Sequence, residues 1–139
     1  MKTVEILMVE DNRGDVVLVR EALKKAGLAH RLNVVPDGVE AMEYLRRQGK
    51  HAEAGRPDLI VLDLKLPRKS GREVLDDILP DSSLRDIPLV ILSSSRSELE
   101  RARARPAPVP VCMVKPSTFG GYVDLVQTLE TVRKAGQQK

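Results

Sequence analysis

Three carboxylates, a hydroxyl and an ammonium group in this sequence each stand at the end of a short aliphatic run. Glu10 and Asp11 follow Val4 to Val9, Asp63 follows Leu59 to Leu62, Ser93 follows Leu89 to Leu92, and Lys115 follows Val111 to Val114. If the runs are parallel strands of one sheet, these side chains share its carboxyl edge, where open α/β sheets bind ligands. Two carboxylates about 5 Å apart at an effective dielectric near 20 repel by roughly 3 kcal/mol, so three together require protons or a cation. An acidic, all-oxygen, partly open site suits Mg²⁺, a hard ion that takes one or two protein carboxylates plus phosphate oxygens. Lys115 adds a positive charge and Ser93 a hydroxyl for a phosphoryl oxygen. Asp63, on the central strand, is placed to act as the nucleophile and form an acyl phosphate. Taken singly, a strand-end Asp is a turn former, Ser93 a helix cap and Lys115 a solvated charge. Their joint placement is what points to phosphoryl chemistry.

The elements that must position these groups are legible in the hydropathy pattern. Val4 to Val9, Leu32 to Val35, Leu59 to Leu62, Leu89 to Leu92 and the weaker Val111 to Val114 are apolar without clean alternation, as in strands buried on both faces. Helical spacing lies between them. Val16, Val19, Leu23 and Ala26 run up to Gly27; Gly38 to Arg47 carries Val39, Met42 and Leu45 and ends at Gly49; Ser70 to Leu79 is closed by Pro80. Tyr122, Leu125, Val126, Leu129 and Val132 mark the last helix. Glu98 to Ala104 offers only Leu99 and Ala102 to a core, so the fourth helix is short. Pro106, Pro108 and Pro110 then impose extended geometry. Strict β–α alternation with short connections predicts an α/β fold: a doubly wound, five-stranded parallel sheet with five helices.

Composition narrows the class. The 139 residues, with 23 Lys plus Arg against 20 Asp plus Glu, suit one domain over 1–139, with a frayed tail from 134. Cys112 alone excludes an internal disulfide and a multi-cysteine zinc site. Glu5 and Glu10 interrupt any signal-peptide apolar region, and no apolar run approaches a membrane span, so a cytoplasmic location without membrane contact is expected. A net charge of +3 and three aromatic residues, Tyr44, Phe119 and Tyr122, argue against nucleic-acid binding.

The segments ILMVEDN, RPDLIVLDLKLPRKSG, IPLVILSSS and VKP, with the spacing from Asp63 to Ser93 to Lys115, resemble the CheY-like receiver domain of two-component response regulators over nearly the whole chain. The resemblance implies strand order 2-1-3-4-5 and a phosphoryl group accepted by Asp63 from a histidine of a sensor kinase. It implies Mg²⁺ held by Glu10, Asp11, Asp63 and the backbone carbonyl of Lys65. Ser93 is then the switch hydroxyl and Lys115 the phosphate-binding lysine, on a cis Lys115–Pro116 peptide. The segments VPDGVEAMEYLRRQG and LPRKSGREVL, with the loop Lys50 to Arg56, are most similar to small regulators that partner bacterial phytochrome kinases. Two positions depart from the family pattern. Cys112 stands where the family usually has an aromatic switch residue, and Lys65, two beyond Asp63, would hang over the site.

Two other functions compete. A haloacid-dehalogenase-like phosphatase also forms an aspartyl phosphate, but needs a second Asp where Lys65 stands to supply a general acid. A receiver-like module that binds partners without phosphorylation would tolerate loss of Glu10, Asp11, Asp63, Ser93 or Lys115, and all five are present. The expectation is therefore a regulator that catalyses only its own phosphorylation and dephosphorylation. It would signal as a homodimer through the fourth helix, Pro106 to Val111 and the last helix.

Overall fold

The computed structural model describes residues 3–104 and 111–137. The expected Pro106 to Pro110 segment and residues 138 and 139 lie outside them. The chain runs β1 (Val4–Val9), α1 (Arg13–Lys25), β2 (His30–Val35), α2 (Gly38–Arg46), a 3₁₀ turn (Gly49–His51), β3 (Leu59–Leu62), α3 (Gly71–Ile78), β4 (Leu89–Ser93), α4 (Arg96–Arg103), β5 (Val111–Val114) and α5 (Phe119–Gln137). All strand pairs are parallel, in the order β2-β1-β3-β4-β5.

Side chains that alternate along each strand fill two separate cores, because successive Cβ atoms point to opposite faces. Leu7 and Val9 of β1, Ile60 and Leu62 of β3, and Ile91 of β4 pack with α2, α3 and α4. Ile6 and Met8, Leu59 and Val61, and Val90 and Leu92 pack with α1 and α5. The central strands therefore read as unbroken apolar runs. β5 is an edge strand, with Val111 and Val114 exposed. β2 begins two residues before the apolar run, because His30 and Arg31 pair with Val4 and Glu5, and Arg31 reaches Glu5 at 2.7 Å across the sheet edge.

Helix starts follow side-chain capping. Asn12 Oδ1 accepts from the Asp15 amide, Asp37 from Glu40 and Ser95 from Glu98, and Ser70 with Glu73 forms a reciprocal capping box. Two helix ends depart from the sequence reading. α2 stops at Arg46 with the left-handed residue at Arg47 (φ 55°), short of Gly49, because the Arg47 and Gln48 amides bond back to Tyr44 and Glu43. α5 stays helical through Gln137, past the expected fraying at Lys134, and Gly136 lies against the Pro88 ring. Among the described residues no helix is long and apolar enough to cross a membrane.

Close backbone approach fixes the loop that follows β3. A Cβ on Gly71 would overlap the carbonyl oxygen of Asp63 and lie 2.6 Å from Leu64 Cα, and the Gly71 amide donates to the Leu64 carbonyl at 2.9 Å. Gly38, at the start of α2, abuts the Lys69 carbonyl and donates its amide to it at 3.1 Å. Arg68 (φ 65°) pairs with the buried Asp37 at 3.2 Å. The loop is thus fastened to α2 on one side and to the end of β3 on the other.

Candidate functional site

The carboxyl ends of β1, β3, β4 and β5 deliver their polar residues to one edge of the sheet, as the alternating pattern predicts. The Glu10 amide bonds to Val35 and the Asp63 amide to Val9, which extends the sheet by one residue on each side of β1 and sets the two carboxylates side by side. One carboxylate oxygen from each of Glu10, Asp11 and Asp63 lies within 4.8 Å of the others. Glu10 and Asp63 are buried while Asp11 is exposed, so the group opens to solvent on the Asp11 side. Three hard oxygen donors at such spacing fit a small divalent cation.

Lys115 supplies the opposing charge. Its Nζ lies 2.9 Å from Glu10 Oε1, 2.7 Å from Asp15 Oδ2 and 3.0 Å from Asp63 Oδ2. Burial disfavours its ammonium form, but hydrogen bonds to Asp15, Glu10 and Asp63 outweigh that and raise its pKa above the ordinary lysine value. Burial pushes Glu10 up to about 7. The Lys115 hydrogen bond opposes this, and the neighbouring Asp63 charge adds to it. Tyr122, on α5, is pushed up to about 12 by burial and by the charge of Asp15.

The structure has no cis peptide bond among the described residues, so the expectation of a cis Lys115–Pro116 bond is corrected. Trans is the favoured X–Pro isomer by about 0.5–1 kcal/mol. From it the lysine stem already spans the distance to Asp63, so cis geometry is not needed to aim the ammonium inward.

Ser93 is fully buried at the end of β4, next to β3, and its Oγ accepts from the Ser95 amide at 3.2 Å. It shares the sheet edge but is turned toward the start of α4. Lys65 donates its amide to Asp63 Oδ1 at 3.3 Å, which fixes that carboxylate. Lys65 is exposed and lines a cleft with Leu66, Ser70, Arg72 and Glu98. Cys112 is half-buried against the core under α4, and Arg103 donates to its carbonyl at 3.1 Å. Burial raises the Cys112 thiol pKa.

Sequence reasoning missed Asp15 and Tyr122. Asp15 sits in the first turn of α1, four residues past Asp11, where an acid reads as ordinary helix-dipole compensation. The available signal was that this turn overlies the same sheet edge as Asp11.

Residues 6–127 match the model of the response regulator receiver domain family. The chain is 38% identical over 126 residues to the response regulator Rcp1 of Synechocystis sp., covering 91% of this chain and 86% of that protein. The phosphorylated cyanobacterial phytochrome response regulator RcpA superposes with a TM-score of 0.83 at 41% identity, over 93% of this chain and 92% of that one. The Mn²⁺-bound form of Rcp1 superposes with a TM-score of 0.80 at 36% identity, over 92% of each chain.

Proposed function

The chain belongs to the response regulator receiver family and is a two-component phosphoryl acceptor, and on that footing we propose that Asp63 takes the phosphoryl group from a histidine of a sensor kinase. The observation that carries the assignment is the Lys115 ammonium 3.0 Å from Asp63 Oδ2, beside carboxylates that group Asp63 with Glu10 and Asp11. In the transfer, an Asp63 carboxylate oxygen bonds to phosphorus as the bond from phosphorus to the kinase imidazole breaks, and the imidazole leaves with the electron pair. Lys115 neutralises charge on a phosphoryl oxygen, and the Ser93 hydroxyl, whose oxygen accepts from the Ser95 amide, donates to another. Glu10, Asp11, Asp63 and the Lys65 carbonyl would hold Mg²⁺, which supplies charge neutralisation for the phosphoryl oxygens. The oxygen-only donor set supports this, as does the Mn²⁺-bound form of the related Rcp1. The protein's own catalysis is confined to gaining and losing this one group.

The similarity to RcpA, a cyanobacterial phytochrome response regulator, and to the bacteriophytochrome response regulator AtBRR supports a bacteriophytochrome as the kinase, and we place the transfer in the cytoplasm. We read residues 1–139 as a receiver that signals by contact, as a homodimer through α4, β5 and α5. The exposed Val111, Val114 and Phe119 along this edge support that face. Sedimentation equilibrium at high micromolar protein is expected to give a dimer with beryllofluoride and Mg²⁺. Monomer under all conditions overturns the dimer.

Incubation with acetyl phosphate and Mg²⁺ should give an acid-stable, base-labile adduct that maps to the peptide carrying Asp63. Absence of an adduct would favour a phosphorylation-independent module instead, and an adduct on another residue would refute the Asp63 assignment.

The raised Glu10 pKa sets a pH dependence. An ion binds the carboxylate, so below about pH 7 it must displace a proton from Glu10, and its affinity falls as pH falls. Mg²⁺ affinity measured by calorimetry should be about tenfold weaker at pH 6 than at pH 8, with proton release at the lower pH. A flat profile would mean that Glu10 takes no part in holding the ion.

A further inference from the structure

The three N–H groups of Lys115 are all engaged, one each by Asp15, Glu10 and Asp63, and the shortest of the three bonds goes to Asp15. Asp63 is the assigned acceptor, and Glu10 belongs to the group that fits a cation, so both change their partners when ion and phosphoryl group arrive. Asp15 is outside that group. It is the carboxylate that can keep its hold on the lysine throughout.

Asp15 is itself held from two sides. Its amide donates to Asn12 Oδ1 at 3.0 Å, which pins the first turn of α1, and its Oδ1 accepts from the buried Tyr122 hydroxyl at 3.4 Å. The two oxygens therefore divide their roles, Oδ1 facing Tyr122 of α5 and Oδ2 facing Lys115 at the end of β5. A lysine on a flexible stem loses rotamer freedom when it is fixed, and a pre-placed carboxylate makes that loss before the reaction begins.

We propose that Asp15, braced by Tyr122, is a positioning residue that aims the Lys115 ammonium at the phosphoryl oxygen. The inference rests on Asp63 as acceptor and Lys115 as its phosphate-binding partner. It adds the group that places the lysine.

The test is a double-mutant cycle of Asp15→Ala and Lys115→Ala, reading phosphoryl uptake from acetyl phosphate at saturating Mg²⁺. Asp15→Ala is expected to slow maximal uptake about tenfold, leaving the half-saturating acetyl phosphate concentration within about twofold. In the Lys115→Ala background the same change should have less than about a twofold effect, because a positioning residue has nothing left to place. Asp15→Asn keeps an acceptor oxygen at nearly the same shape and is expected to restore uptake to within about threefold of wild type. The same cycle read by beryllofluoride binding in Mg²⁺ needs no turnover and should show the same coupling. Equal losses in both backgrounds, wild-type behaviour of Asp15→Ala, or no rescue by Asp15→Asn would each overturn the proposal. Asp63→Asn serves as the separate control. An adduct that survives it refutes the acceptor assignment, whereas the coupling between Asp15 and Lys115 is judged from the cycle alone.

Discussion

Asp63→Asn abolishes the base-labile adduct and, in metal-free buffer at neutral pH, makes the protein more stable. The first effect follows because an amide oxygen is a far poorer nucleophile than a carboxylate and offers a cation no charge. The second follows from the balance of charge at the sheet edge. Glu10, Asp15 and Asp63 share one lysine with Asp11 close to two of them, and the charge on Asp63 is among the causes that raise Glu10. Asparagine removes a buried like charge and keeps one acceptor oxygen, which can serve Lys115 Nζ in place of Oδ2 or the Lys65 amide in place of Oδ1 but not both, a loss smaller than the repulsion relieved. The relief is about 1–2 kcal/mol, which raises the melting temperature by about 3–6 °C. Saturating Mg²⁺ should reverse the order, since the wild type gains binding free energy that the variant does not. Thermal melts with and without Mg²⁺, beside the uptake assay, check both parts. A melting temperature lowered by the substitution without metal would mean that attraction to Lys115 exceeds the repulsion.

Gly71→Ala is expected to be the most damaging single methyl group in the loop after β3. The added carbon has backbone on its near side: the Asp63 carbonyl oxygen, the Asp63 carbonyl carbon at 2.9 Å and Leu64 Cα at 2.6 Å. A flexible side chain could turn aside, but these atoms belong to the end of β3, and moving them breaks the bond from the Gly71 amide to the Leu64 carbonyl. Overpacking of this kind costs about 2–4 kcal/mol, so the melting temperature should fall by about 10 °C. Uptake should fall as well, because the displaced backbone carries Asp63. Gly55→Ala is the matched control. A Cβ there meets nothing within 4 Å, and its effect should stay within about 0.5 kcal/mol. Equal melting temperatures for the two variants would show that the loop yields more easily than its packing implies.

Much of this site was legible before any coordinates. An aliphatic run must be buried, a strand must end where its apolar residues stop, and parallel strands end on one edge, so Glu10, Asp11, Asp63, Ser93 and Lys115 could be collected from order alone. The two faces of the sheet were legible for the same reason. Asp15 was not, because nothing local marks a first-turn acid as the partner of a lysine across the fold. Their contact depends on how α1 packs beside α5, the helix that follows β5. The setting of Lys65 was legible only in part, because a position two beyond Asp63 fixes where its backbone lies, and that backbone belongs to a loop that Gly38, Gly71 and the pair of Arg68 with Asp37 hold in place. The end of α2 at Arg47 was likewise hidden, since glycine is the usual left-handed residue and an arginine adopts that conformation here.

Lys115 meets Asp15 across 100 residues of sequence and Asp63 across 52. During vectorial synthesis the acidic residues therefore emerge long before the cation that balances them, and a nascent chain that stops short of β5 carries Glu10, Asp15 and Asp63 without this counter-charge. Until the last strand arrives, only protons or a cation can offset the repulsion among these groups, so the acceptor gains its phosphate-binding lysine after the other four strands have been made.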